Sequence, residues 1–127
     1  MLDTDTVSYA WRGHGRVKDR IAYYGPDQLC ISAVTWSELL FGAARRKSAR
    51  LDRSLEELTR DVEVMPFDHD CAVHYARIAN DLAARGEPIG ALDTMIAAHA
   101  LTLNLTLVTN NLRHFTRVPN LTVENWV

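Results

Sequence analysis

Short apolar runs alternate with longer helical segments along the whole chain, and this alternation limits the fold more than any other feature of the sequence. The apolar runs predict strands near residues 1–4, 29–31, 62–65, 105–109 and 121–123. Between them, the spacing of apolar and polar residues predicts helices over 6–24 (with a break near Gly13), 32–45, 49–60, 68–85 and 90–103. Strands that alternate with helices form βαβ units and a mainly parallel sheet, in which ligands bind at the carboxyl ends of the strands.

The composition fits one folded domain that covers residues 1–127. Of the 127 residues, 47% are hydrophobic and 24% are charged, which supplies a core and excludes a disordered chain. The sequence has no apolar run long enough to span a membrane and no signal peptide, so we expect a cytoplasmic protein without a membrane partner. Cys30 and Cys71 lack a metal-binding or redox spacing and are expected to be free thiols.

The charges are distributed unevenly along the chain. The net charge of −2 argues weakly against a nucleic-acid partner. Residues 1–50, however, carry eight Lys and Arg against five Asp and Glu, whereas residues 51–127 carry six against eleven. Arg45, Arg46 and Lys47 form a basic cluster at the end of a predicted helix, and such a cluster can bind phosphate groups. A solvated helix end is the equally simple alternative.

Three acids have no cation close to them in the sequence. Asp3 follows the first predicted strand, Glu38 lies on a largely apolar helical stripe, and Asp93 opens the most apolar helix. A carboxylate in such surroundings must be protonated, paired or metal-bound, because burying a bare charge is very costly. Each acid also has an ordinary alternative role. Asp3 could be an exposed terminal acid, Glu38 the partner of a distant arginine, and Asp93 a helix cap.

We expect these three acids to meet at one edge of the sheet around a divalent cation. Their mutual repulsion would need a cation, and hard ions such as Mg²⁺ or Mn²⁺ suit carboxylate sites. Such an ion can activate a water and stabilise charge on a phosphate, which is the chemistry of a phosphodiesterase. The histidines show no zinc-binding spacing. Asp3, Glu38 and Asp93 are therefore the candidate catalytic residues and metal ligands.

Four segments of the chain resemble the VapC-type PIN-domain ribonucleases of type II toxin–antitoxin systems. Their order and spacing match that family over essentially the whole chain. The segments are MLDTDT at 1–6, ISAVTWSELLFG at 31–42, PIGALDTMIAAHA at 88–100 and VTNNLRHF at 108–115. The resemblance implies an α/β fold, a PIN-like three-layer sandwich with a five-stranded, mainly parallel sheet in the order 3-2-1-4-5, flanked by helices.

The resemblance also implies a set of site residues. The acids of the family's metal site correspond to Asp3, Glu38 and Asp93. A fourth acid often falls at the position of Asn111, which can hold a metal-bound water through its side-chain carbonyl, so the choice between one and two metals stays open. The family commonly has asparagine at the position of Asp5, where an acid adds negative charge.

Further expectations concern the substrate and the partners. Thr109 falls where the family often places a hydroxyl that lines the site, and Arg113 is a candidate to offset charge on the leaving oxygen. The basic residues at 45–47 are candidates to position an RNA backbone. The resemblance implies Mg²⁺ or Mn²⁺ as cofactor, a homodimer, a VapB antitoxin that covers the active site, and RNA cleavage that inhibits translation. Relatives with this pattern cut initiator tRNA, which makes it an expected substrate.

Two other functions are compatible with parts of the sequence. Asn111 in place of an acid favours a catalytically inactive PIN-fold module used for binding. The D-T-D sequence at 3–5 resembles the opening of haloacid-dehalogenase-type phosphatases, in which an aspartate attacks phosphorus. That family also needs a later lysine, whereas both lysines of this chain lie early.

The first predicted strand is unusually short. Only Met1 and Leu2 precede Asp3, whereas a central strand normally has about five residues. Either this strand is unusually short or the natural chain begins upstream of Met1, and we slightly favour the second explanation.

Overall fold

The structure, a computed structural model, describes residues 1–127. Helices and strands alternate as predicted, and the α/β class is confirmed. The elements are α1 (Thr4–Trp11), α2 (Gly15–Tyr24), β1 (Cys30–Ser32), α3 (Ala33–Arg46), α4 (Ala49–Asp61), β2 (Glu63–Met65), α5 (His69–Ala84), α6 (Ala91–Thr102), β3 (Leu107–Val108), α7 (Leu112–Phe115) and β4 (Val123–Glu124). A 3₁₀ turn at Pro26–Gln28 and the short helix α7 were not predicted. None of the helices is both long and apolar enough to cross a bilayer.

The sheet consists of two parallel strand pairs joined through one residue. Strand β1 pairs with β2, and β3 pairs with β4. Leu2 makes parallel bridges to Ile31 of β1 on one side and to Val108 of β3 on the other. The order across the sheet is therefore β2, β1, Leu2, β3, β4, which is 3-2-1-4-5 when Leu2 is counted as the first strand.

The central strand predicted for residues 1–4 is wrong in its length. The structure has a single bridged residue at this place, because the chain enters α1 immediately after Leu2. Asp3 has extended backbone angles, and its carboxylate accepts a hydrogen bond from the backbone N–H of Thr6 at 2.8 Å. This is an N-cap, which ends the extended segment and begins the helix at Thr4.

Apolar side chains form one cluster on each face of the sheet. Met1 and Leu107 belong to the cluster that includes residues of α5 and α6, whereas Leu2 and Val108 belong to the cluster that includes residues of α1, α2 and α4. This separation follows from the strand geometry, in which successive side chains point to opposite faces. The result is three layers, with the carboxyl ends of the strands open at one edge.

The buried helix α6 fixes the position of one candidate site residue. Its residues Ile96, Ala97 and Ala98 are at most 1% exposed, as the apolar sequence on all sides of this helix predicts. Gly90 precedes the helix with φ of 92°, a conformation that favours glycine. Asp93 lies in the first turn of this anchored helix.

Candidate active site

Asp3 is a buried carboxylate without a cation partner. It is 3% exposed, and its two oxygens accept hydrogen bonds from the backbone of Thr6 and from the hydroxyl of Thr109. Burial raises the pKa of Asp3 from 3.8 to about 6, although these two hydrogen bonds act in the opposite direction. The negative charge of Asp5 raises the pKa of Asp3 further. The fold therefore holds Asp3 rigidly and makes its ionised form costly.

Glu38 lies on α3 and is linked to the start of α1. Its Oε1 accepts a hydrogen bond from the hydroxyl of Thr4 at 2.7 Å. Burial raises the pKa of Glu38, the bond from Thr4 lowers it, and the negative charges of Asp93 and Asp5 raise it. Charges from two other segments, at Asp5 and Asp93, therefore act on Glu38.

Asp93 receives two side-chain contacts from the segment that follows β3. Its Oδ2 lies 2.8 Å from Nδ1 of His114 and 3.3 Å from Nδ2 of Asn111. When His114 is protonated, its contact with Asp93 is an ion pair. The sequence analysis treated His114 only as a residue without metal-binding spacing. The available signal was the three-residue spacing of Asn111 and His114 after a strand, which places both side chains on one side of the short helix α7.

The candidate residues meet at the carboxyl edge of the sheet. Asp3 follows the bridged Leu2, and Thr109 follows β3. The ion pairs of the arginines join Arg20 to Glu124, and Arg85 to Asp81 and Glu87. No arginine or lysine of the chain therefore neutralises Asp3, Glu38 or Asp93. The carboxylates are free to bind an external cation or a cation of another molecule.

The donor set fits Mg²⁺ or Mn²⁺, with only part of the coordination supplied by the protein. No three Asp, Glu, His or Cys side chains are arranged so that they can hold one metal ion together. Mg²⁺ is commonly bound by one or two carboxylates, with waters and substrate phosphates as the remaining ligands. Asp3 and Asp93 suit such a site because both present carboxylate oxygens and neither is paired with arginine or lysine.

The accessory residues differ in how closely they approach the acids. Thr109 bonds directly to Asp3, and Asp5 affects Asp3 and Glu38 through its charge. The side-chain amide nitrogen of Asn111 faces Asp93. The expected role of Asn111, holding a metal-bound water, therefore requires that its side-chain carbonyl oxygen be available for that water. Arg113 is exposed and makes no ion pair.

A cleft of about 370 Å³ opens beside Glu38. Of the basic cluster at 45–47, only Arg46 lines this cleft; Arg45 and Lys47 are exposed outside it. Two further arginines, Arg12 and Arg50, also line the cleft. The folded chain thus gathers arginines from the end of α1, from α3 and from α4.

Comparison with known proteins gives the family. The family model of the PIN domain matches residues 1–121. The tRNA(fMet)-specific endonuclease VapC of Salmonella typhimurium is 37% identical to the chain, over 99% of this chain and 96% of the relative. The chain belongs to the VapC-type PIN-domain family. Ribonuclease VapC1 of Haemophilus influenzae is 35% identical to this VapC-type chain, again over 99% of it and 96% of the relative.

Solved structures agree with this membership. The crystal structure of VapBC2 from Rickettsia felis, bound to a DNA fragment from its promoter, contains a chain similar to this VapC-type protein with a TM-score of 0.90 and 32% identity. That match covers 100% of this chain and 98% of the other. DNA-bound VapBC from Salmonella typhimurium matches with a TM-score of 0.89 and 37% identity, covering 100% and 97%. The expected PIN-like fold is confirmed.

Proposed function

We propose that this VapC-type chain is the Mg²⁺-dependent endoribonuclease toxin of a VapBC toxin–antitoxin pair. One observation carries the proposal: Asp3, Glu38 and Asp93 come from three segments, lie at one edge of the sheet and have no arginine or lysine of the chain as a partner. Relatives named as ribonuclease or endonuclease VapC, similar over nearly their whole length, support the same activity.

In the proposed mechanism, each carboxylate is positioned by hydrogen bonds from different residues. Thr6 and Thr109 fix both oxygens of Asp3, Thr4 fixes Glu38, and the segment after β3 orients Asp93. Asp3 and Asp93 would hold the metal, and Glu38 would reach it through a bound water. When bound, Mg²⁺ or Mn²⁺ supplies an activated water and offsets the charge that develops on the phosphate. The hydrogen bonds that already hold Asp3 and Glu38 reduce the reorganisation that binding requires.

Initiator tRNA in the cytoplasm is the proposed substrate, and its cleavage would inhibit translation. The support is the Salmonella typhimurium relative, which is named for tRNA(fMet) and is 37% identical to this chain. The proposed protein partners are a VapB antitoxin and a second copy of the chain. The structural neighbours come from VapBC complexes, and Phe41 and Leu92 of this chain are 67% and 49% exposed, which suits contact with a partner.

A cleavage assay with labelled initiator tRNA tests this proposal. The chain freed of any antitoxin is expected to cut the tRNA with Mg²⁺ or Mn²⁺, and EDTA should abolish the cut. Asp93→Asn should lower the rate more than about 100-fold, because it removes a proposed metal ligand. The matched control is Asp70→Asn, which removes an acid from the first turn of α5 and should leave the rate unchanged.

Three outcomes would count against the proposal. Full activity in Asp93→Asn would remove the role given to that residue. RNA binding without cleavage under any divalent ion would favour the inactive binding module. A phosphoenzyme trapped on Asp3 with a phosphate-ester substrate would favour the phosphatase alternative.

A further inference from the structure

The cleft beside Glu38 has two walls that start at the candidate active site. Thr4 and Glu38 line it where their side chains are hydrogen-bonded at 2.7 Å. Along α3, Glu38, Gly42 and Arg46 follow one another at intervals of four residues and all line the cleft. Eight residues of helix correspond to about 12 Å, so Arg46 lies about that far along the wall from Glu38.

The opposite wall repeats this arrangement on α1. Thr4, Ser8 and Arg12 are again spaced by four residues and line the cleft. Trp11, which is half-buried, lies beside Arg12 in the lining. Both walls therefore run from the carboxylates of the active site to an arginine.

The far end of the cleft carries uncompensated positive charge. Arg12, Arg46 and Arg50 line it, and none of them is in an ion pair. Arg12 stacks on the ring of Tyr9 at 4.5 Å, and Arg50 donates to the backbone carbonyl of Trp11 at 3.4 Å. On a chain of net charge −2, three unpaired guanidinium groups in one cleft favour an anionic ligand, and the planar guanidinium suits phosphate oxygens.

Gly42 leaves open space in the wall of the cleft. It lies in the middle of α3, where glycine is less favourable than alanine. A Cβ added at Gly42 would have no atom of the protein within 4 Å. Internal packing therefore does not require glycine here, and the missing side chain only widens the cleft.

We propose that this cleft binds the RNA nucleotide next to the one that carries the scissile phosphate. Arg46 and Arg50 bind its phosphate with help from Arg12, and its base stacks on Trp11. This inference rests on the proposed ribonuclease function and adds a substrate subsite to it. RNA fits better than an acidic polypeptide because the cleft is continuous with the carboxylate site at Glu38 and its lining combines unpaired arginines with the aromatic residue Trp11.

The chain offers a matched pair of double variants for the test. Arg46→Gln/Arg50→Gln removes two arginines that line the cleft, whereas Arg53→Gln/Arg60→Gln removes two exposed arginines of α4 that lie outside it. Both variants change the net charge equally. Binding of a fluorescently labelled single-stranded RNA is measured by anisotropy in EDTA, so that no cleavage occurs, over a range of salt concentrations.

The expected result is specific to the cleft variant. Its Kd should rise roughly 10-fold, and the slope of log K against log salt should become shallower by about 0.7, since one neutralised phosphate on a single strand contributes about 0.7. The control variant should stay within about 2-fold of the wild type. Equal weakening in both variants, or in neither, would overturn the subsite.

Substitution of Gly42 tests whether RNA binding needs the open space in the cleft, whereas the arginine variants test its charge. Gly42→Ala and Gly42→Leu should leave the melting temperature equal to or above that of the wild type, because a Cβ at this position meets no atom of the protein within 4 Å and both residues favour a helix over glycine. Gly42→Leu should weaken RNA binding several-fold, and Gly42→Ala less. Unchanged RNA binding in Gly42→Leu would contradict the inference.

The two proposals can fail separately. If the wild type cleaves initiator tRNA but the cleft variants bind RNA normally, the subsite is wrong and the ribonuclease stands. If the cleft variants lose RNA binding but the wild type never cleaves RNA with Mg²⁺ or Mn²⁺, the ribonuclease is wrong and an RNA-binding cleft remains. If a polyglutamate peptide binds the cleft and RNA does not, the ligand is a polypeptide and the inference is overturned.

Discussion

Replacing Asp3 with asparagine should make the protein more stable while removing its proposed activity. Burial raises the pKa of Asp3 from 3.8 to about 6, so the folded protein resists ionising this group. At about 1.4 kcal/mol for each pH unit, the difference corresponds to about 3 kcal/mol of destabilisation at pH 7. Asparagine is neutral and can still accept the hydrogen bond from the N–H of Thr6.

The gain in stability from Asp3→Asn should be somewhat smaller than about 3 kcal/mol. The hydroxyl of Thr109 donates to Asp3 and accepts from the N–H of Asn111, so an amide at position 3 leaves that hydroxyl hydrogen without its acceptor. Such a loss costs about 1 kcal/mol. We therefore expect Asp3→Asn to raise the free energy of unfolding by about 2 kcal/mol at pH 7, measured by urea denaturation in EDTA.

The pH dependence of stability separately tests whether Asp3→Asn is stabilising. A carboxyl whose pKa is raised by folding stabilises the protein fully below pH 3.8, and this contribution is lost as the pH rises through about 6. The stability difference between Asp3→Asn and the wild type should therefore be small near pH 4 and reach its full value above pH 6. Added Mg²⁺ should raise the stability of the wild type but not that of the variant.

Asp68→Asn is a matched control with the opposite sign. Asp68 caps α5 through the N–H of Cys71, as Asp3 caps α1 through Thr6. Asp68 is exposed, and the hydrogen bonds from the Cys71 backbone lower its pKa, so its neutral replacement should destabilise the protein. If Asp3→Asn is less stable than the wild type at pH 7, or if the difference does not change between pH 4 and pH 7, the reasoning about the buried charge is refuted.

Other predictions concern the contacts around the sheet edge and the core. Thr109→Val removes a hydrogen bond that lowers the pKa of Asp3, so the acid limb of the pH profile of kcat/KM should move to higher pH, which tRNA cleavage rates would measure. Ser32→Ala removes the partner of the buried His99 Nδ1 at 2.7 Å and should cost about 1–3 kcal/mol in urea denaturation; a loss below about 0.5 kcal/mol would contradict it. Burial lowers the pKa of His99, so in the Asp3→Asn background stability should fall as the pH drops below 6.5, and flat stability between pH 7 and pH 5 would contradict this.

Most of the fold could be predicted because it depends on local patterns. The break at Gly13, the cap at Ser32 and the cap at Asp68 all mark helix boundaries that the structure has. The central strand could not be predicted correctly, because Leu2 is held by neighbours at Ile31 and Val108 that are distant in sequence. Its bridges depend on tertiary contacts, which apolar periodicity does not report.

The site was predictable where burial conflicts with charge. Asp3, Glu38 and Asp93 were selected because the sequence offers them no local cation. In the structure the charge of Asp93 acts on Glu38, and hydrogen bonds through Thr109 and Asn111 connect Asp3 to Asp93. The contact of His114 with Asp93 was not predicted, since it depends on how α7 packs beside α6. The cleft was not predicted either, because its arginines come from α1, α3 and α4 and meet only in the folded chain.

The direct test of the proposed metal site is a titration with Mn²⁺, followed by the electron paramagnetic resonance signal of the free ion. The wild-type chain, freed of any antitoxin, should bind Mn²⁺, and both Asp3→Asn and Asp93→Asn should lose that binding while remaining folded by circular dichroism. Binding that survives unchanged in both variants, or a wild type that binds no Mn²⁺ at neutral pH, would contradict a common cation site for these carboxylates.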